Sequence, residues 1–166
     1  MKLTALSAAS LTSIILLTSG CATSPSRATS SAAPQPAVAP SGSNTGGADA
    51  RGAVLAFLDA AKNGDLQALS AVWGSNAGSV RDAGTIPREE LEKRELVMMC
   101  YLAHDTHQIL TDAQAPNNER VLSAQLRRGA LTRTANFYAV AGPGGRWYVR
   151  TFDMESLTDF CKAKGR

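Results

Sequence analysis

Residues 120–141 read RVLSAQLRRGALTRTANFYAVA, and the alternation inside this stretch decides the fold. Leu122, Ala124 and Leu126 fall on one side, with Val121, Ser123, Gln125 and Arg127 on the other. That period of two marks a strand with one buried face. From 131 to 141 the pattern repeats, with Leu131, Arg133, Ala135, Phe137 and Ala139 alternating against Thr132, Thr134, Asn136, Tyr138 and Val140. Working outward, residues 107–113 predict a strand before this pair, and Pro116, Asn117 and Asn118 turn the chain between them. Residues 142–145, Gly-Pro-Gly-Gly, form a loop, and 146–153 predict a fourth strand with Trp147, Val149 and Thr151 opposite Tyr148, Arg150 and Phe152. Consecutive strands on short loops imply an antiparallel meander, one face of which helices must cover.

The helices precede the strands. Asp49 can cap a helix that places Val54, Phe57, Leu58 and Ala61 on one face, and Gly64 stops it after a basic last turn. Asp65 caps a second helix carrying Leu66, Leu69, Val72 and Trp73, which makes a helical hairpin. Residues 75–85 are small and polar and predict a loop with a turn of helix around Val80. Pro87 opens a third helix, Glu89 and Glu90 suit its positive end, and Leu96, Met99, Cys100 and Ala103 share its inward face. A short terminal helix with Leu157, Phe160 and Cys161 is expected after residue 154. The fold class is α+β, with N-terminal helices packed on a curved four-stranded antiparallel sheet.

A helical hairpin turning at Asn63-Gly64-Asp65, a further helix, and a sheet ending in Gly145-Arg146-Trp147-Tyr148-Val149 resemble the cystatin-like cone of the nuclear transport factor two and ketosteroid isomerase superfamily, which includes the SnoaL-like proteins. The resemblance covers about residues 51–153 and implies an apolar cavity between sheet and helices. Superfamily members use that cavity for catalysis, for small-ligand binding, or serve as interaction modules. It also implies a possible homodimer through the open face of the sheet.

The N-terminus reads as an address. Lys2 is followed by an apolar run through Leu17 that is too short to span a bilayer, and Thr18-Ser19-Gly20 before Cys21 resembles the lipobox of bacterial lipoproteins. Residues 1–20 are then a lipoprotein signal peptide and Cys21 the lipidated residue, carrying acyl chains such as palmitate. Two or more chains give stable membrane anchoring. Residues 21–49, dominated by Ser, Thr, Ala, Pro and Gly, cannot bury enough apolar surface to order themselves and form a disordered tether. Its reach is roughly 30 Å. Residues 50–166 form one domain. The expected localisation is the bacterial cell envelope; Ala22 after the cysteine favours the outer membrane, facing the periplasm.

Cysteine arithmetic supports this reading. Of three cysteines, acylation of Cys21 leaves Cys100 and Cys161 as an even pair, which an oxidising compartment favours as a disulfide. The alternative keeps Cys100 free, where its spacing to His104 and His107 would suit a metal if all three lay on one helix. The net charge of +3 is nearly balanced, so it calls for no nucleic acid partner. No cofactor is implied, because the chain has no glycine-rich phosphate loop, nucleophile elbow or dinucleotide fingerprint.

For acid–base chemistry the available residues are Tyr101, His104, Asp105, His107, Tyr138, Tyr148 and Asp153, in no motif that assigns a catalytic role. Tyr101, Phe137, Trp147 and Phe152 are the candidates for lining a small-ligand pocket, although aromatic residues at strand spacing also serve as core. Three functions stay open. They are a membrane-tethered module that binds a protein or a small apolar ligand, a small isomerase- or dehydratase-type enzyme, and a metal-binding protein using Cys100, His104 and His107.

Overall fold

The computed structural model describes residues 45–162. The expected signal peptide, the expected lipidation site Cys21 and the segment up to residue 44 of the expected tether lie outside the described residues. Two helices come first, α1 (Ala50–Asn63) and α2 (Leu66–Val72). Asp49 caps α1 by accepting from Gly52 N at 2.6 Å, and Asp65 caps α2 by accepting from Ala68 N at 2.9 Å. Between the helices Gly64 adopts φ +72°, a left-handed conformation that costs glycine nothing.

The loop expected at 75–85 holds more structure than its composition suggests. Two-residue strands β1 (Gly74–Ser75) and β2 (Gly78–Ser79) pair as a small hairpin, and Ser79 caps the one-turn helix α3 (Val80–Ala83). The long helix α4 (Arg88–Tyr101) follows Pro87. Its inward face holds only in part as expected, with Met99, Cys100 and Ala103 half-buried. Glu95, Met98 and the following Leu102 point inward with Leu91 half-buried, whereas Leu96 is 59% exposed. A glutamate occupies one position of the true apolar stripe, and that carboxylate disguises the period.

A four-stranded antiparallel sheet completes the domain in the order β3 (Thr106–Gln114), β4 (Arg120–Arg128), β5 (Leu131–Ala141), β6 (Trp147–Phe152). Leu122, Ala124 and Leu126 of β4 and Ala135, Phe137 and Ala139 of β5 face the core, as their alternation predicts. Strict alternation fails in β6. Phe152 pairs with Phe137 and Thr151 with Tyr138, but Ala139 pairs with Val149, so Arg150 is an extra residue. This bulge places Val149 and Phe152 together on the buried face and turns Arg150 outward.

The helices cover one face of the sheet. Phe57 of α1 meets Phe137 and Phe152 at ring-centroid distances of 6.4 and 6.0 Å, and Phe137 stacks on Phe152 at 5.7 Å. Burying each ring stabilises the fold by roughly 2–3 kcal/mol, so this cluster ties α1 to β5 and β6. Beyond the sheet a 3-10 turn (Glu155–Leu157) leads into α5 (Thr158–Lys162), with Leu157 and Phe160 fully buried. Cys100 of α4 is bonded to Cys161 of α5, their Cα atoms 4.7 Å apart.

The fold begins earlier than composition alone suggests, since residues 45–49 run against the sheet edge. Gly47 and Trp147 exchange both backbone hydrogen bonds, at 2.7 and 2.9 Å. The Arg146 guanidinium donates to the carbonyl oxygens of Thr45 and Gly46. Glycine is required here: a Cβ on Gly47 would lie 2.2 Å from Ala53 N, and one on Gly46 would meet the Tyr148 ring at 2.9 Å.

Candidate functional site

An apolar groove lies between α4 and β6. Phe57, Met98, Val149 and Phe152 contribute to its lining from the buried core, joined by Trp73, Val97 and Met154. Val97 is 53% exposed and Met154 37%, so the apolar lining of the groove continues out to solvent. The groove encloses about 420 Å3. Its charged lining consists of Lys93, Arg94 and Arg150 against one carboxylate, Glu90.

Each of those cations has a carboxylate partner. Lys93 bonds Glu89 at 2.8 Å, Arg94 bonds Glu90 at 2.9 Å, and Arg150 bonds Glu119 at 2.8 Å. Solvated pairs of this kind are worth about 0–1 kcal/mol, so a ligand anion can compete for the cations. The bulge in β6 is what brings Arg150 to the groove edge while Val149 and Phe152 stay inside.

The four aromatic residues proposed for a pocket occupy different places. Phe152 lines the groove. Phe137 lies fully buried beneath it in the core, and Tyr101 packs half-buried against the same core. Trp147 faces away, beside Asp49, Ala50 and Arg51. Trp73, Val97, Met98 and Met154 were not among the expected lining residues. The adjacent pair Leu96-Val97 on an otherwise charged helix surface is the local signal that points to them.

The cysteine and histidines of the metal reading do not converge. The Cys100 sulfur is bonded to Cys161, and among the described residues no three His, Cys, Asp or Glu side chains are grouped to hold a metal ion. The histidines bond each other instead, His104 Nε2 to His107 Nδ1 at 2.9 Å, while His104 Nδ1 donates to the Leu102 carbonyl at 2.6 Å. His104 is buried and His107 half-buried, and burial is the main cause that depresses the pKa of each. Asp105 accepts from Gly129 N at 2.7 Å and thereby fixes the turn between β4 and β5. The Tyr148 hydroxyl lies 3.4 Å from that of Thr45.

Glu95 is 1% exposed, and its Oε1 has no hydrogen-bond partner. Burial raises its pKa, hydrogen bonding to Ser70 offsets part of that rise, and the Glu92 charge adds to it. Nothing in the sequence marks it, because a glutamate on a charged helix looks solvated. Among the described residues no helix is long and apolar enough to cross a membrane. Comparison with family models, with curated proteins and with solved structures finds no match to the chain.

Proposed function

We propose that the chain is a lipid-anchored protein of the bacterial cell envelope, whose domain binds a small apolar ligand with an anionic end in the groove between α4 and β6. The observation that carries this reading is the groove itself, with an apolar lining of Phe57, Met98, Val149 and Phe152 and an edge carrying Lys93, Arg94 and Arg150, each in a weak ion pair with a glutamate. Such a site favours a chain or ring seated on the apolar surface and an acid group directed at Lys93, Arg94 and Arg150. The position of the groove, between helices and the concave side expected of a cystatin-like cone, supports placing the domain in that architecture. The anchor and the tether rest on the lipobox-like residues before Cys21 and on the composition that follows.

The full chain is purified from its own membranes and weighed twice, under native and denaturing conditions, beside a Cys21→Ser variant. The reading expects a lipid-sized covalent increment that the variant lacks and a smaller acidic molecule lost only on denaturation. An unmodified Cys21 contradicts the anchor, whereas a natively bound base or sugar contradicts the ligand class.

A further inference from the structure

A second cavity lies on the other side of α4, away from the groove, and Glu95 lines it. Its walls come from Gln67 and Ser70 of α2, from Ile86 in the connection after α3, and from Leu91 of α4. The enclosed volume is about 300 Å3, at the lower end of what small-molecule sites use. Glu95 is almost wholly buried, and one of its oxygens has no donor. Removing a carboxylate from water without a partner is expensive, so the group either keeps its proton or gains a donor, and a cation is the donor that best holds it ionised.

Two of the protein's own cations, Arg81 and Arg88, line this cavity, each in a solvent-exposed ion pair. Arg88 bonds Glu92 at 2.9 Å and Arg81 bonds Asp82 at 3.2 Å. The Ser70 hydroxyl carries one proton and lies 2.9 Å from the Leu66 carbonyl and 3.1 Å from that of Gln67. It is also in hydrogen-bond contact with Glu95, and its single proton leaves Oε1 without a donor. Hard divalent ions want six or more oxygen ligands, and no three acidic or imidazole groups are grouped for a metal among the described residues. Ile86 and Leu91 offer apolar surface beside the carboxylate, which suits an alkyl stem behind a charged nitrogen.

We propose that the cavity between α2 and α4 is a binding site for a primary alkylammonium group, with the Glu95 carboxylate as its counter-ion and the Gln67 side chain as a second acceptor. The site is separate from the groove and stands or falls independently of the function assigned there. Binding needs the ionised carboxylate, so it strengthens as pH rises through the Glu95 titration. Gln67, Ser70, Glu92, Arg88 and Arg81 are the polar and charged groups that line the cavity with Glu95.

The test follows backbone amides of α2 and α4 by NMR in the full chain during titration with n-butylammonium, and then with n-butanol as the neutral isostere. The expected result is a saturable shift with the ammonium at about pH 8 that weakens progressively as pH falls through the Glu95 titration. Butanol is expected to give none, Glu95→Gln to lose at least tenfold in affinity, and Trp147→Phe, outside both the groove and this cavity, to leave binding unchanged. The pH series on the unaltered chain reads the same dependence should Glu95→Gln fold poorly. Absence of saturation, equal binding of butanol, no pH dependence, or a crystal structure of the soaked chain with water alone at Glu95 Oε1 would overturn the proposal.

Discussion

His104 Nε2 and His107 Nδ1 share one hydrogen bond of 2.9 Å, and that bond fixes the tautomers of both rings. The Leu102 carbonyl can only accept, so His104 carries its proton on Nδ1 and presents Nε2 as an acceptor. His107 must then donate from Nδ1, which leaves its Nε2 lone pair 3.9 Å from the Asp59 carboxylate.

Acid therefore enters at His107 Nε2, facing Asp59, with Lys62 opposing it. Both imidazoles have folded pKa values below their unfolded ones, so the native state binds fewer protons in that window. Stability is complete above about pH 6.5 and falls as pH drops through the depressed values. Nitrogen-15 NMR of the rings should report Nδ1–H for both at neutral pH. Asp59→Asn should lower the His107 pKa further, and an unchanged or raised value would contradict the placement of the first proton.

The bridge from Cys100 to Cys161 closes 61 residues of chain, which in the loop-entropy account stabilises the fold by about 4 kcal/mol. Cys161→Ser should cost about 2–4 kcal/mol and lower the midpoint of thermal unfolding. Reductant should shift that midpoint in the unaltered protein and leave the variant unmoved. Because buried Leu157 and Phe160 lie in the chain between β6 and Cys161, exchange at their amides should rise first.

Glu95 opposes folding whenever it is ionised without a partner. Its folded pKa lies above the unfolded value, so the native state holds more protons and stability declines as pH rises through that folded pKa. Glu95→Met, of similar volume, should gain about 1–2 kcal/mol at about pH 8 and remove this part of the pH dependence. Urea unfolding at two pH values reads both effects.

Arg146 holds residues 45–49 to the sheet through the carbonyl oxygens of Thr45 and Gly46. Arg146→Met should loosen that segment by about 1–3 kcal/mol. Amide exchange should speed up at Gly46 and Gly47 while Phe137 and Leu122, deep in the sheet, keep their protection.

The parts of this fold that rest on local rules are readable in the sequence. Asp49 and Asp65 cap the helices they were expected to cap, Gly64 turns between them, and β4 and β5 bury the residues their alternation predicts. Features that depend on distant chain are not. The bulge at Arg150 is a matter of register with β5, and it alone makes Val149 and Phe152 neighbours. The inward face of α4 was hidden because Glu95 occupies a core position, a choice that hydrophobic periodicity counts as solvent. The groove joins residues from α1, the end of α2, α4 and β6, so Phe152 could be named from its aromatic character but Trp73 and Met98 could not.

The groove offers its own reporter. The chain has two tryptophans, and Trp73 lines the groove while Trp147 does not, so Trp147→Phe leaves a single emitter at the site. Fluorescence of that full-length variant is followed during titration with dodecanoate, then with dodecyltrimethylammonium, both kept below micelle formation. The account predicts a saturable change with dodecanoate, at least about tenfold weaker binding of the cationic amphiphile, and loss of the dodecanoate response in Val97→Asp. An absent response, or equal binding of both amphiphiles with and without Val97→Asp, would contradict it.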